Sequence, residues 1–170
     1  TLLGEAPGDR APRRGAAIVF DVAAPDLDED LMEESFGPTA LVVGYADLDQ
    51  LVTTLGRLGG QLTATVHAAD GEADLIARLH GVLRGRAGRL VFDGYPTGVA
   101  VSWAMHHGGP HPATTSVGHT SVGTASIRRW LRPISYQNAP ADVLPPELRD
   151  DNPTRVPQRV NGTMQPIGPV

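Results

Sequence analysis

Apolar residues follow two patterns in the middle of the chain, a repeat every three or four positions and short continuous runs. Segments 47–58 and 71–84 repeat them every three or four positions, which predicts amphipathic helices. Short apolar runs at 40–45, 62–67 and 89–92 frame these helices and predict strands. Strands that alternate with helices favour an α/β fold, with a parallel β-α-β-α-β sheet and helices on both faces. The predicted helix faces hold Leu48, Leu51, Val52, Leu55 and Leu58, and then Leu75, Ile76, Leu79, Val82 and Leu83.

Local signals mark the ends of the first helix. Asp47 with Gln50 three residues later resembles a capping box, and Gly59-Gly60 is a stop signal. Upstream, the apolar run 16–22 predicts a further strand. The acidic stretch 25–34 predicts a short helix or turn.

The regular pattern ends after residue 93. Residues 94–120 contain loop formers and four of the six histidines. We predict a helix over 121–131 and a strand over 134–137. Eight of the 15 prolines lie between 133 and 170, so we expect an irregular tail that lies on a partner subunit. We therefore divide the chain into a domain at 1–133 and a strand with its tail at 134–170.

Composition excludes several classes of function. The net charge of −5 argues against nucleic acid and anionic membranes as partners, and no apolar run is long enough to span a bilayer. The chain has no cysteine, which excludes thiolate metal sites and cysteine nucleophiles within it. Gly-Gly-Pro separates the pair His106 and His107 from His111, and no acidic residue lies close by, so we predict no metal site.

The segment from Leu31 to Pro38 is the first candidate site. It reads Leu-Met-Glu-Glu-Ser-Phe-Gly-Pro and leads directly into the strand at 40–45. A carboxylate such as Glu34 accepts charge-assisted hydrogen bonds, and a ribose diol offers two donors side by side. The alternative interpretation is a helix end with solvated acids, in which Phe36 fills the core.

The loop after the third predicted strand is the second candidate site. Residues 93–99 read Asp-Gly-Tyr-Pro-Thr-Gly-Val. Ligands bind outside the carboxyl ends of strands in an open parallel sheet. A loop with two glycines and a proline at this point is well placed to form the wall of a pocket.

These segments, together with 105–115 and 120–123, resemble the aldehyde dehydrogenase superfamily, especially its α-ketoglutarate semialdehyde (2,5-dioxovalerate) branch. The resemblance implies that Glu34 hydrogen-bonds the hydroxyls of the nicotinamide ribose and that Phe36 packs against the nicotinamide. It also implies that part of the aldehyde pocket is formed by Tyr95, Pro96, Thr97, Gly98 and Val99. Asp93 stands where that branch has Asn, and His111 where it often has an aromatic residue.

The resemblance further implies a C-terminal part of an enzyme that uses NADP or NAD to oxidise a small aldehyde in the cytoplasm. In that family a cysteine thiolate attacks the aldehyde. The nucleophile, the general base and the coenzyme-binding domain would precede Thr1, so we expect no catalytic residue here and no activity from the isolated chain. Residues 134–138 would join an oligomerisation sheet and make the enzyme a homo-oligomer. Two alternatives remain: a non-catalytic oligomerisation module, or a parent enzyme that oxidises fatty aldehydes.

Overall fold

The computed structural model describes residues 1–6 and 15–165. The chain forms two compact units, Thr1–Trp130 and Leu131–Val170. The first unit contains the helices and strands around both candidate sites. The mixed α/β class predicted from the sequence is confirmed.

The first sheet has three strands. β1 (Leu2–Glu5), which the sequence did not predict, pairs antiparallel with β2 (Ile18–Ala23). β2 pairs in parallel with β3 (Thr39–Gly44), from Ile18 opposite Thr39 to Ala23 opposite Gly44. The connection from β2 to β3 carries a 3₁₀ turn, Ala24–Asp26, and a single helical turn, α1 (Glu29–Met32).

Helix α2 (Leu48–Arg57) follows β3, and side chains form hydrogen bonds with the backbone at both of its ends. The Asp47 carboxylate accepts a hydrogen bond from the backbone N–H of Gln50 at 2.8 Å, and the Gln50 side chain accepts one from the N–H of Ala46 at 2.7 Å. The predicted N-terminal cap is thus confirmed. At the other end, the Arg86 guanidinium donates to the carbonyls of Leu58, at 3.0 Å, and Gly56. These carbonyls have no partner within the helix itself.

The second sheet pairs β4 (Gln61–Val66) in parallel with β5 (Ala87–Phe92), and α3 (Ala73–Leu83) connects the two strands. Val66, Leu79 and Leu83 form the buried centre of the core. Seven of the ten residues predicted for the two helix faces belong to this core, because each helix must bury one stripe of apolar side chains. The surrounding residues are Leu48, Leu51, Leu55, Ala64, Leu75, Val82 and Leu90.

The prediction of one sheet through three successive parallel strands is not confirmed. β3 pairs with β2, and β4 pairs with β5, but β3 and β4 are not hydrogen-bonded neighbours in the described residues. The prediction of helices on both faces is not confirmed either, since α2 and α3 pack on the same apolar cluster. Right-handed crossovers that progress in one direction place their helices on the same face of a sheet.

After residue 93, one prediction is corrected and another is not confirmed. The segment predicted as a helix over 121–131 is a 3₁₀ helix at Thr124–Trp130. Trp130 is 81% exposed there, and without a buried apolar face a short helix gains little stability. Residues 134–137 form no strand. A strand needs a hydrogen-bonded neighbour, and no described residue provides one for this segment.

The second unit is largely irregular, as predicted. It has 3₁₀ turns at Ala141–Val143 and Pro146–Leu148 and an antiparallel hairpin of β6 (Gln158–Val160) and β7 (Thr163–Gln165). None of the helices in the described residues is long and apolar enough to cross a membrane.

The contacts at the end of α2 predict a difference between two arginines. Replacing Arg86 with Ala removes charge-assisted hydrogen bonds to two part-buried helix carbonyls, and should lower the free energy of unfolding by about 1.5–3 kcal/mol. Arg78→Ala removes an ion pair with Asp49 whose side chains are 46% and 85% exposed, and should cost about 1 kcal/mol or less. Urea denaturation of both variants measures the difference, and equal losses would contradict the role of Arg86.

Candidate coenzyme and substrate site

Glu34 lies in the exposed segment between α1 and β3. Asp28 starts α1 by accepting a hydrogen bond from the backbone N–H of Leu31 at 2.9 Å. The chain then leaves the helix and reaches β3 at Thr39, with Glu34 exposed on the way. Phe36 is 95% exposed, so the interpretation that this ring fills the core of the described chain is wrong.

Glu34 contributes to an open cavity of about 860 Å³, which we name the acidic cleft. Its charged residues are three carboxylates from α1 and the segment after it, opposed by one guanidinium. This volume lies within the usual range for small-molecule sites. The lining residues are Glu29, Met32, Glu33, Glu34, Arg57, Gly59, Gly60, Gln61, Leu62, Thr63, Pro112 and Ala113.

Two hydrogen bonds and one close backbone approach connect the segments that form the acidic cleft. Arg57, at the end of α2, donates a hydrogen bond to the carbonyl of Leu27 at 2.7 Å and so ties α2 to the segment that precedes α1. The backbone N–H of Gly60 donates to the carbonyl of His111 at 3.2 Å. A Cβ atom on Gly60 would collide with the backbone of Pro110. Gly60 therefore also lets another segment approach closely.

The predicted substrate loop lies at the carboxyl ends of β4 and β5. Asp93 has a φ of 49°, a left-handed conformation that Asp and Asn both tolerate. Its side chain accepts a hydrogen bond from the backbone N–H of Ala68 at 3.0 Å, and its own N–H donates to the carbonyl of Val66 at 2.9 Å. The replacement of Asn by Asp thus suits the geometry at this position.

Arg89 fixes the loop, and the sequence reasoning missed it. Its guanidinium donates hydrogen bonds to the carbonyls of Pro96 and Gly98, both at 2.8 Å. Tyr95 is 81% exposed, with its ring centroid 5.9 Å from that of His67 at a tilted angle. A lone arginine within the apolar strand β5 was the available signal, because charged residues inside strands usually have a specific partner.

The structure does not bring the two predicted sites into one cavity. The acidic cleft borders the amino end of β4 at Gln61, whereas the Tyr95 loop lies beyond its carboxyl end at Val66. Six strand residues span about 20 Å. None of residues 95–99 contributes to the acidic cleft. The roles of Glu34, Phe36 and residues 95–99 therefore stay predictions.

The described residues contain no group of three or more His, Cys, Asp or Glu side chains arranged to hold a metal ion. One imidazole of the loop after β5 contacts a neighbouring hydroxyl group. His119 Nδ1 lies 2.8 Å from the Ser116 hydroxyl.

No protein-family model matches the chain. Two curated relatives match it strongly. The Alpha-ketoglutaric semialdehyde dehydrogenase 2 of Azospirillum brasilense is 43% identical over 171 residues, which cover 94% of this chain and 33% of that protein. The Alpha-ketoglutaric semialdehyde dehydrogenase of Acinetobacter baylyi is 46% identical over 134 residues, which cover 79% of this chain and 26% of that protein. The chain thus spans a third or less of the length of these relatives. At this level of identity over most of its residues, the chain belongs to the aldehyde dehydrogenase family.

Proposed function

We propose that the chain is the C-terminal part of an NAD- or NADP-dependent aldehyde dehydrogenase that oxidises α-ketoglutarate semialdehyde to 2-oxoglutarate in the cytoplasm. The observation that carries the proposal is the identity of 43% and 46% to two enzymes named for that aldehyde. The acidic residues before β3 and the loop after β5 support it, because each exposes groups suited to the role that the resemblance implies.

The chemistry of the acidic cleft fits one part of a nicotinamide coenzyme. Glu34 in the cleft offers carboxylate oxygens to a ribose diol. Phe36 follows two residues later, outside the cleft lining, and its exposed ring offers an apolar face to the nicotinamide. Three carboxylates beside a single guanidinium disfavour phosphate groups, which carry negative charge. The nicotinamide ribose is therefore the part of the coenzyme that this surface suits.

Each element of the chain has a limited task in this mechanism. The bound nicotinamide would accept the hydride that the aldehyde carbon loses. Glu34 would orient the ribose, and Phe36 would restrict the tilt of the ring. The loop of residues 95–99, held by Arg89, would form a wall that positions the aldehyde. The thiolate that attacks the aldehyde must come from outside this chain, since the chain has no cysteine.

A chimera tests the proposal. Residues of this chain replace the aligned region of the A. brasilense relative, and absorbance records formation of reduced coenzyme. We expect turnover with α-ketoglutarate semialdehyde, little with a long-chain fatty aldehyde, and none from the isolated chain with either substrate. Preference for the fatty aldehyde would favour the alternative parent enzyme. A folded chimera without turnover would favour the non-catalytic interaction module.

Glu34→Gln in the active chimera should slow hydride transfer more than it weakens coenzyme binding. A lost charge-assisted hydrogen bond costs about 1.5–3 kcal/mol, or roughly ten- to a hundred-fold in rate. Glu29→Gln is the matched control, because Glu29 also lines the acidic cleft but has no assigned role. Pre-steady-state kinetics measures both variants, and an unchanged rate for Glu34→Gln would refute its assignment.

Arg89→Met should loosen the loop of residues 95–99. Loss of the hydrogen bonds to Pro96 and Gly98 should make the backbone amides of the loop exchange with solvent roughly ten-fold faster, which corresponds to about 1.4 kcal/mol. Arg84→Met, at the exposed end of α3, should leave the exchange as it is. Hydrogen exchange with mass spectrometry gives the comparison, and equal exchange in both variants would show that Arg89 does not hold the loop.

Ser135→Pro tests the proposed oligomer contact at residues 134–138. These residues are exposed in the isolated chain and lie between Pro133 and Pro140. If they pair with another subunit, proline removes one donor from the ladder, and the assembly should become smaller. Sedimentation of the chimera with and without the substitution measures its size. Equal assembly at the same concentration would mean that this segment is not the contact.

A further inference from the structure

Two strands of the first unit that are consecutive along the chain, β3 and β4, each have an open edge. β3 pairs with β2 on one side only, and β4 pairs with β5 on one side only. No strand in the described residues pairs with the second edge of either. An open edge leaves backbone N–H and C=O groups without ladder partners and is a template for a further strand.

An apolar groove of about 550 Å³ lies between these strands, under helix α2. We name it the strand groove. Most of its lining is aliphatic, and Arg86 and His67 are its only residues with basic side chains. Its lining residues are Leu27, Leu31, Met32, Leu41, Val43, Leu51, Leu55, Leu58, Gln61, Thr63, Ala64, Thr65, Val66, His67, Leu79, Leu83, Arg86 and Ala87.

The pattern of lining residues shows how the strand groove meets each strand. Residues 63–67, at the end of β4 and just beyond it, line it consecutively. Successive side chains of a strand point to opposite faces, so a cavity lined by consecutive residues borders the edge of the strand. From β3 the groove receives Leu41 and Val43 but not Val42 between them, and it therefore contacts one face of β3. The strand groove is therefore bordered by the backbone edge of β4 on one side and by apolar side chains on the others.

The connection from β3 to β4 leaves room for a strand between them. Residues 45–60, including α2, join the two strands, and a crossover of this length is sufficient for a β-α-β unit. Leu51 and Leu55 of α2, and Leu58 directly after it, line the groove. A strand under this helix would have a ladder partner in β4 and an apolar cover, which are the surroundings of a buried strand in a parallel sheet.

We propose that the strand groove receives an apolar β-strand from the part of the parent polypeptide outside residues 1–170, and that this strand pairs with the open edge of β4. The inference that the strand comes from the same enzyme rests on the proposed function. The A. brasilense relative is about three times as long as the region that it shares with this chain, so most of such a protein is available to supply the strand. The apolar lining selects a segment rich in Val, Ile and Leu.

The position of the strand groove links the two candidate sites. Met32, Gln61 and Thr63 line both the groove and the acidic cleft. His67, at the other end of the groove, lies beside Tyr95 of the substrate loop. A strand in the groove would therefore run from the coenzyme side to the aldehyde side of the proposed site.

A complementation experiment tests the proposal. The A. brasilense relative with its aligned 171-residue region deleted, the complementary part, carries an affinity tag and is co-expressed with residues 1–170. We expect the two polypeptides to purify in equal amounts. Amides of β3 and β4 should exchange with solvent at least ten-fold more slowly in the complex, whereas those of the β6–β7 hairpin should be unchanged. This measurement needs no variant of either part.

Two substitutions on β3 locate the contact. Leu41→Asp places a charge in the strand groove and should reduce capture at least ten-fold. Val42→Asp is the matched control, because its side chain is 49% exposed and does not line the groove. Circular dichroism of each isolated variant checks that the fold is kept. If Leu41→Asp unfolds the chain, the test is the amide exchange of β3 and β4 in the complex of the two wild-type parts.

Several results would overturn the proposal. They are absence of capture, equal loss of capture in the two variants, unchanged exchange in β3 and β4, and self-association of residues 1–170 that protects the same amides without the complementary part. A complex that assembles and protects these strands but lacks dehydrogenase activity would support the strand contact and count against the proposed function. The two proposals can therefore fail separately.

Discussion

The requirement of strand backbone groups for hydrogen-bond partners, from a neighbouring strand or from solvent, is the constraint on which this structure depends. β4 and β5 satisfy it on one side, and α2 and α3 cover them with the apolar cluster around Val66, Leu79 and Leu83. At the second edge of β4 the ladder stops, and the strand groove begins. The core is accordingly small, since only six apolar residues of the described chain are buried: Ala24, Leu27, Val66, Leu79, Leu83 and Ala87.

The candidate sites occupy opposite ends of this incomplete framework. Arg57 and the close approach of Pro110 to Gly60 shape the acidic cleft near the amino end of β4. Arg89 and Asp93 shape the substrate loop at the carboxyl ends of β4 and β5. Under the proposed function, these two ends would be preformed parts of one site, and its centre would come from the rest of the enzyme. This division of tasks agrees with a chain that spans about a third of its relatives' length.

Local signals in the sequence predicted the elements that local interactions determine. Asp47 and Gln50 predicted the start of α2, and apolar residues of its predicted face pack on the core cluster. The turn at Asn161-Gly162, with φ values of 49° and 82°, is a typical hairpin signal that the sequence reasoning missed. The strand predicted at 134–137 and the single sheet through β3, β4 and β5 depend on partners that no local pattern in this chain specifies. The hydrogen bonds from Arg89 could not be predicted from the sequence either, because they depend on how the chain folds back after β5. The candidate residues themselves came from a resemblance of motifs, and the structure adds their surroundings.

A structure of the chimera with bound coenzyme would test the proposed site and the proposed strand contact most directly. We expect the Glu34 carboxylate to lie within hydrogen-bonding distance of the nicotinamide ribose hydroxyls, about 2.6–3.2 Å. We also expect a strand from the rest of the polypeptide to occupy the strand groove beside β4. A coenzyme bound away from Glu34, together with a strand groove left open to solvent, would contradict both proposals.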